Sequence, residues 1–356
     1  MDNPLIYNNP YQAGELETYT VTGSGNNLDN PDWGEAGHPL LNLAPLEYGD
    51  GYSTPAGSDR PNPRVISNAL AQQDQLTPES RGLSNWIWAW GQFLDHDLSL
   101  TPDTRDRPIT IPVAAGDPYL DPFGSGQVGI SMGDTVFLTD TGTDPTNPRQ
   151  LPNEVTSWLD GSMVYGSTPE RIAGLRSFSN GKLKISDGAM LPLFDGSMAM
   201  DNPTGRPSGN LYMAGDARAN ENPILTAVHT VFVREHNRLA TDLAVAHPDW
   251  NDEQLFQRAR QINIAQIQSI TYNEYLPALL GKGDLEQYKG YDSTVNPDIS
   301  RTFSTAAFRL GHTQLSPAIP LLNPTGQMEG TPLSLSEGFF LGSKLLQQTG
   351  IDPILL

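Results

Sequence analysis

A chain of 356 residues, 37% of them hydrophobic, is long enough to bury a substantial core as one large domain or two average ones. Its net charge of −20 argues against binding to DNA, RNA or anionic membranes, because such partners need basic patches. The chain has no cysteine, which excludes disulfides, iron–sulfur clusters and thiolate-ligated metal sites.

The N-terminal part of the chain predicts an extended arm. Residues 1–63 are rich in Gly, Pro, Asn and Asp, which favour turns and irregular structure. The start, Met1–Pro4, lacks the basic and apolar regions of a signal peptide, and no apolar run in the chain is long enough to span a membrane. Residues 64–356 are expected to form one further domain.

The first predicted helix runs from Leu83 to His96, with Ser84 as its N-cap. Gln92 and His96 are four residues apart and therefore share a helix face, whereas Asp95 lies about 100° around the helix. We expect the large apolar side chains of this helix in the core: Trp86, Trp88, Trp90, Phe93 and Leu94.

Beyond this helix, residues 101–155 are rich in turn signals, and strand patterns are few and short. A second helix is predicted to begin at Pro223. A third should begin at its N-cap Asn251 and end near Gly281, and a fourth should cover about residues 303–309. The pattern predicts a mainly α fold with long irregular loops and little β structure.

Histidine and carboxylate side chains concentrate in three segments. Trp90–Asp97 places His96 between two aspartates, Phe308–Thr313 contains His312, and Ala214–Glu221 offers a guanidinium and a carboxylate at close spacing. In a chain without cysteine, two such imidazoles suit a haem iron between them, one as iron ligand and the other handling peroxide protons on the opposite face. The spacing alone does not decide which histidine takes which role.

These segments resemble those of the animal-type haem peroxidases, the superfamily that also contains the cyclooxygenases. The resemblance extends from about Arg64 to the last residue and implies that residues 64–356 are one haem peroxidase catalytic domain. It implies haem b as the cofactor and His312 as the proximal iron ligand. It also implies that His96 is the distal acid–base group for hydrogen peroxide, and that Arg218 stabilises charge on the separating oxygen.

The resemblance assigns roles to neighbouring residues as well. It implies that Gln92 orients the distal water or halide, and that Arg309 pairs with a haem propionate or nearby polar groups. Asp95 and Glu221 match residues that form ester bonds to haem methyl groups. Some family members carry a methionine after this glutamate that makes a sulfonium link. Asn222 stands there in this chain, which favours bromide, iodide, thiocyanate or phenolic donors over chloride.

A calcium site is also implied, because oxygen donors alternate along the segment Thr156–Ser162. Since one of the implied ligands directly follows His96, the ion would hold the distal histidine in place. The ligands that the resemblance implies are Asp97, Thr156, the carbonyl of Trp158, Asp160 and Ser162.

The remaining histidines have structural interpretations. His38 and His247 lie in proline-flanked segments and are expected to be loop residues. His229 and His236 lie on the second predicted helix and are expected in a buried polar network.

The sequence leaves two alternatives to the peroxidase function open. A fatty-acid dioxygenase of the same superfamily needs a tyrosine three residues before the proximal histidine. This chain has Arg309 there, which argues strongly against that alternative. A non-catalytic fragment with a binding or adhesion role is favoured by the end of the chain at Leu356. Family members continue further and supply an asparagine for the proximal imidazole, so a missing C-terminal segment or a second chain is an expected partner. By analogy with peroxidases that generate oxidants, the expected location is extracellular or the cell surface.

Overall fold

Helices supply most of the secondary structure, which confirms the predicted mainly α fold. The computed structural model describes residues 19–356 except 58, 74, 204, 206, 208 and 210, so the first 18 residues of the predicted arm lie outside it. The helices are α1 (Pro63–Ala71), α2 (Trp86–Leu98), α3 (Ser162–Tyr165), α4 (Pro169–Leu175), α5 (Pro223–Ala246), α6 (Asp252–Ile270), α7 (Leu276–Leu280), α8 (Arg301–Thr305), α9 (Leu335–Gly338), α10 (Gly342–Thr349) and α11 (Asp352–Leu355). The strands are β1 (Asp103–Pro112), β2 (Gly129–Thr135), β3 (Ala318–Ile319) and β4 (Leu333–Ser334).

The long helix α5 packs against α6 and carries much of the core. Asn222 caps α5, because its side chain accepts a hydrogen bond from the Leu225 amide. Pro223 suits the first helical position, since the N–H that proline lacks would have no partner there. The predicted start of this helix is therefore confirmed.

The start and end of the next helical stretch are also as predicted. Asn251 and Gln254 form a reciprocal capping box at the start of α6. A π-helical turn, Thr271–Tyr275, continues α6 into α7. That helix ends at Gly281, which has φ of 119°, a conformation that a glycine adopts without strain.

Helix α2 begins three residues later and ends two residues later than predicted. Its N-cap is Asn85, and Ser84 lies outside the helix, where its hydroxyl accepts a 3.4 Å hydrogen bond from the Trp86 amide. Trp86 is 37% exposed rather than part of the core, because the first turn of α2 lies at the surface. The other large apolar side chains of α2 are buried as predicted, namely Trp88, Trp90, Phe93 and Leu94.

Residues 101–155 contain a β-hairpin that the sequence analysis missed. Strands β1 and β2 are antiparallel, with an irregularity in their register between Thr104 and Pro108. Both strands are largely exposed and neither has a fully buried face, so the sequence carries only a weak strand signal, namely the half-buried Ile109 and Ile111 of β1. The hairpin tip is held by Asp117, whose carboxylate accepts two hydrogen bonds from Arg64 of α1, at 2.7 and 2.9 Å.

The described part of the predicted arm, residues 19–57 and 59–63, lies against the rest of the protein. Leu40 is 3% exposed, and its amide donates a 2.9 Å hydrogen bond to the carbonyl of Leu151. Leu41 forms an isolated β-bridge with Ser300. The division of the chain after residue 63 stays a prediction.

Two of the four remaining histidines lie in the core. His236 contacts the Tyr165 hydroxyl at 2.9 Å and the Gly181 carbonyl at 2.8 Å, and His229 bonds a backbone carbonyl one turn earlier in α5. Both are buried, and His236 belongs to a polar network as predicted, whereas Nε2 of His229 has no hydrogen-bond partner among the described residues. The loop residue His38 lies 2.8 Å from the buried carboxylate of Asp298.

Candidate active site

A cavity of about 390 Å³ lies between α2 and the 3₁₀ turn Ala307–Gln314. Its volume falls within the range of about 300–1,000 Å³ that is typical of small-molecule and cofactor sites. Apolar side chains from several elements form much of its wall, among them Trp88, Leu279, Phe308, Leu335 and Phe339. The polar residues that the sequence analysis singled out also line it: Gln92, Asp95, His96, Arg218, Glu221, Arg309 and His312.

His96 is placed in this cavity by α2 and is only 2% exposed. Burial, and then the positive charge of Arg218, hold the pKa of His96 well below its ordinary value, so the imidazole is neutral at neutral pH. Its Nδ1 lies 3.5 Å from Asp216 Oδ1 but has no hydrogen-bond partner among the described residues. The contact with Asp216 is therefore electrostatic rather than a formed hydrogen bond.

Arg218 is held by a carboxylate that the sequence analysis did not single out. Its Nε and one terminal nitrogen donate to the two carboxylate oxygens of Asp216, at 2.9 and 2.7 Å, and its other terminal nitrogen donates to the Ser99 carbonyl at 3.0 Å. Burial opposes the ionisation of Asp216, but the charge of Arg218 outweighs it and lowers the pKa of that carboxyl. The pair is thus a buried, bidentate ion pair with a fixed plane.

The segment that carries Asp216 packs closely on α3. The Asp216 amide donates a 3.0 Å hydrogen bond to the Met163 carbonyl. A Cβ atom at Gly215 would lie 2.5 Å from the Ser162 carbonyl oxygen, so only glycine fits there. Helix α3 therefore fixes the position of Asp216, and through it the guanidinium of Arg218.

Gln92, one turn before His96 on α2, is tied to the start of α5. Its side-chain oxygen accepts a 2.8 Å hydrogen bond from Asn222, and its side chain also hydrogen-bonds to Glu221. The oxygen of the Asn222 side chain accepts a hydrogen bond from the Leu225 amide at 2.9 Å. Burial raises the pKa of Glu221, which favours the protonated carboxyl.

Asp95 lies between two guanidinium groups at the cavity wall. Its Oδ2 is 3.8 Å from Arg218 and 3.6 Å from Arg309, and its Oδ1 accepts a 3.3 Å hydrogen bond from the Ser99 hydroxyl. Burial raises the pKa of Asp95 in spite of these two positive charges. Asp95 and Glu221 are therefore both carboxyl groups for which burial favours the neutral form.

His312 reaches the cavity from the 3₁₀ turn Ala307–Gln314 and is exposed. This turn contacts both α8 and α2. The two histidines that the sequence predicts as a pair therefore enter one cavity from different elements, His96 from α2 and His312 from the turn.

A buried cluster of oxygen atoms adjoins the distal histidine, because Asp97 directly follows His96. The Ser162 hydroxyl donates to Asp97 at 2.8 Å, and the Thr156 hydroxyl donates to Asp160 at 2.9 Å. Burial raises the pKa of Asp97 to about 6. Burial, together with the charge of Asp97, raises the pKa of Asp160 well above its ordinary value.

This cluster suits a hard cation, because two buried carboxylates that repel each other are stabilised when a positive ion lies between them. The guanidinium of Arg260 supplies part of that positive charge, since it lowers the pKa of Asp160. Trp158 lies in the loop between Thr156 and Asp160. Its indole lies so close to Gly34 that a Cβ atom at position 34 would not fit. Within the described ranges no group of three or more acidic or histidine side chains suits a metal ion, so a cation here would also need hydroxyl or carbonyl ligands.

Comparison with known proteins identifies the family. The family model described as animal haem peroxidase matches residues 18–356. The chain belongs to the animal haem peroxidase family. It is 35% identical to peroxinectin A of Dictyostelium discoideum, over 96% of this chain and 65% of that protein. It is 34% identical to thyroid peroxidase of Mus musculus, over 94% of this chain and 42% of that protein.

A solved structure agrees with this assignment. The fold is similar to that of peroxidase A from Dictyostelium discoideum, with a TM-score of 0.87 and 33% sequence identity. The match covers 96% of this chain and 68% of the solved one. The chain therefore spans between about two fifths and two thirds of the length of these curated relatives.

The residues of the cavity fit the haem that the family name implies. Imidazole nitrogen is a common ligand of haem iron, and His96 and His312 offer it from two elements. The apolar wall suits the macrocycle, and the 44% exposed Arg309 side chain offers a cation for acidic propionates. The carboxyls of the buried Asp95 and the half-buried Glu221 line the same space, where ester links to a haem would have to form.

The structure thus brings together all seven residues predicted for the haem site. It places the five predicted for calcium at the end of α2, in the loop before α3 and at the first residue of α3. Asp216 and Ser99, which orient Arg218, were not predicted from the sequence. A signal for Asp216 was present: it follows a glycine and precedes the arginine by two residues, a spacing that allows a bidentate pair in a turn.

Proposed function

We propose that this protein is a hydrogen-peroxide-dependent haem peroxidase that oxidises halides, thiocyanate or small organic donors. The observation that supports this most is the meeting of a buried neutral His96, the Arg218–Asp216 pair and His312 around one cavity. Family membership supports the haem chemistry. Because the chain spans only part of its relatives, its own activity has to be measured directly.

His312 is the proposed iron ligand, because it is exposed to the cavity on an element that does not carry His96. Bound haem would supply the redox chemistry, accepting two oxidising equivalents from peroxide and passing them to a donor. Arg309 would pair with a propionate or stay with Asp95, which lies 3.6 Å away.

His96 and Arg218 would have different roles in the reaction with peroxide. Because His96 is neutral, it can take the proton from one peroxide oxygen and return it to the departing oxygen. Arg218 would stabilise the negative charge that develops on the departing oxygen. Asp216 is proposed as a positioning residue, since it holds the Arg218 guanidinium in one plane and faces the Nδ1 edge of His96.

The proposed range of donors rests on Asn222. In this family a methionine at the corresponding position can make a sulfonium link to haem, and Asn222 cannot form that bond. Without it, we expect bromide, iodide, thiocyanate and phenols to be better donors than chloride. Gln92, held by Asn222 and Glu221, would orient the halide or a water molecule next to His96.

Calcium is proposed as the second cofactor. Two buried carboxylates with raised pKa values support it, because a divalent ion would compensate their charge. The ion would stiffen the contact between Asp97 and the start of α3. There the Met163 carbonyl accepts a hydrogen bond from the Asp216 amide. The proposed ligands are Asp97, Thr156, the Trp158 carbonyl, Asp160 and Ser162.

The test of this function is a haem titration followed by peroxide kinetics. The full chain should bind haem with a Soret band and oxidise bromide or a phenol only when peroxide is present. His312→Ala should lose haem binding. His96→Ala should keep haem but react with peroxide about 10²–10⁴-fold more slowly, the usual contribution of a positioned acid–base group.

His247→Ala is the matched control, because His247 stacks on Trp250 in a loop that does not line the cavity. It should behave as the unaltered protein. A full chain without a Soret band would favour the non-catalytic binding role instead. A His96→Ala variant that reacts with peroxide at the normal rate would remove this residue from the mechanism.

An extracellular or cell-surface location is also proposed, by analogy with enzymes that release oxidants. Across the described ranges, no helix has both the length and the apolar composition required to cross a membrane. Fractionation of the producing cells would test the location, and recovery of the protein only from the cytosol would contradict it.

A further inference from the structure

A second cavity, of about 450 Å³, lies between the N-terminal segment, strand β2 and helix α8. It shares no lining residue with the haem cavity. Three arginines line it, which is notable in a protein with a net charge of −20. We call it the arginine cavity and define it by Tyr48, Arg60, Arg149 and Arg301.

Arg149 and Asp134 line the arginine cavity, and Arg107 contacts the same aspartate from outside it. Asp134 accepts hydrogen bonds from Arg149 at 2.8 Å and from Arg107 at 3.0 Å, so two guanidinium groups share one carboxylate. The Arg149 side chain is only 10% exposed, and its Nε is buried without a hydrogen-bond partner among the described residues. Both arginines also lie over the ring of Phe137, at 4.4 and 4.8 Å.

Arg301 adds a further cation to the lining. Arg301, at the start of α8, donates a 3.1 Å hydrogen bond to the Tyr48 hydroxyl and lies 5.3 Å from the centre of that ring. In the part of the chain that the structure describes, no carboxylate lies within 4.0 Å of Arg301. At the rim, Arg60 is paired with Glu47 at 2.7 Å.

These observations point to a site for an anion. A buried guanidinium without a full counter-charge is costly unless a ligand supplies the charge, and the planar guanidinium group matches a carboxylate through two parallel hydrogen bonds. Part of the remaining wall is apolar and suits a ligand with a hydrophobic body, whereas the rest is polar and includes Asn42, Ser53 and Thr302. The apolar lining residues are Ala44, Pro45, Leu46, Pro55, Ala56, Ile109 and Ala306.

We propose that the arginine cavity binds a small organic carboxylate, with the carboxylate between Arg149 and Arg301 and the hydrophobic body against the apolar part of the wall. The volume of about 450 Å³ is that of a small-molecule site, and far larger than a single inorganic anion needs. This site is separate from the proposed peroxide chemistry, so either can hold without the other.

Isothermal titration of the full chain with benzoate tests the proposal. Benzoate should bind at one saturable site, and an equal concentration of inorganic phosphate should not displace it. Added haem, which fills the other cavity, should leave the affinity unchanged. Arg301→Gln should weaken binding by about tenfold or more, because it removes a charge-assisted hydrogen bond. Arg301→Lys should fall between, since it keeps the charge but loses the planar pair of donors.

Arg301→Gln is the informative variant because Arg301 is only half-buried and the change should not disturb folding. Arg238→Gln is the control, since it removes the same charge from an exposed side chain on α5. The proposal is overturned if benzoate does not bind, or if it binds Arg301→Gln as tightly as the unaltered chain. It is also overturned if haem displaces benzoate, or if phosphate displaces it at the same concentration, which would indicate a site for inorganic anions.

Discussion

The ion pair between Asp216 and Arg218 gives the sharpest test of the proposed active site. Asp216→Asn keeps the size of the side chain but removes its charge and one of the two acceptors at 2.7 and 2.9 Å. Removing one partner of a buried pair costs about 3–5 kcal/mol, because the other charge stays buried. Since asparagine still offers one oxygen, we expect a loss near the lower limit, about 3 kcal/mol. That corresponds to roughly a hundredfold in the folding equilibrium.

Urea unfolding of the haem-free chain would measure this loss of free energy of unfolding. The rate of reaction with peroxide, followed by stopped-flow absorbance of the haem-loaded chain, should fall by about 10²-fold or more, because Arg218 would no longer be aimed at the developing charge. Cyanide affinity gives a second spectroscopic readout of the same pocket, and it should fall as well.

The control for Asp216→Asn is Asp252→Asn. Asp252 also accepts from a buried arginine, at 2.8 Å from Arg176, but it lies at the start of α6 and does not line the cavity. This variant should lose stability and keep its rate with peroxide. If Asp216→Asn lost stability but kept both its rate and its cyanide affinity, Asp216 would be a structural residue only, and the positioning role would be wrong.

Three further outcomes are expected. If calcium occupies the oxygen cluster, elemental analysis should find about one ion per chain. Chelation or Asp160→Asn should then lower the melting temperature. Active protein without calcium would contradict this prediction. Haem should be extractable from freshly loaded protein but stay with the polypeptide after a few equivalents of peroxide, with at most two ester links, in peptides containing Asp95 and Glu221. Burial lowers the folded-state pKa of His236 to about 4, below its unfolded value of about 6.5. The contribution of His236 to the free energy of unfolding is therefore complete above pH 6.5. It decreases by about 3 kcal/mol as the pH falls towards 4. His236→Gln should flatten the dependence of unfolding free energy on pH in that window.

The sequence predicted those parts of the site that local patterns define. Gln92 and His96 share a cavity because they lie one turn apart on a helix, which the spacing alone indicates. The starts of α5 and α6 followed from Pro223 and Asn251, because a proline in the first turn and an N-cap residue both lie within one turn of the helix start. Such signals lie close together along the chain, so they can be recognised without knowing the tertiary structure.

The parts that were missed depend on contacts between distant segments. The carboxylate of Asp216 orients Arg218 only because α3 fixes its backbone, 53 residues earlier at Met163. The hairpin of β1 and β2 leaves little trace in the sequence because neither strand has a fully buried face. Trp86 is exposed because α2 begins at the surface, and apolar composition alone does not show where a helix enters the core.

Asn222 also bears on how this protein could evolve. Its amide nitrogen holds Gln92 and its oxygen caps α5, so both ends of the side chain are already engaged. A methionine at this position would bring a sulfur towards the cavity but would remove the helix cap, at a cost of about 0.5–2 kcal/mol, and release Gln92 at the same time. The mutational route from this chain to a sulfonium-linked enzyme therefore passes through a less stable intermediate, unless a substitution elsewhere first restores the start of α5.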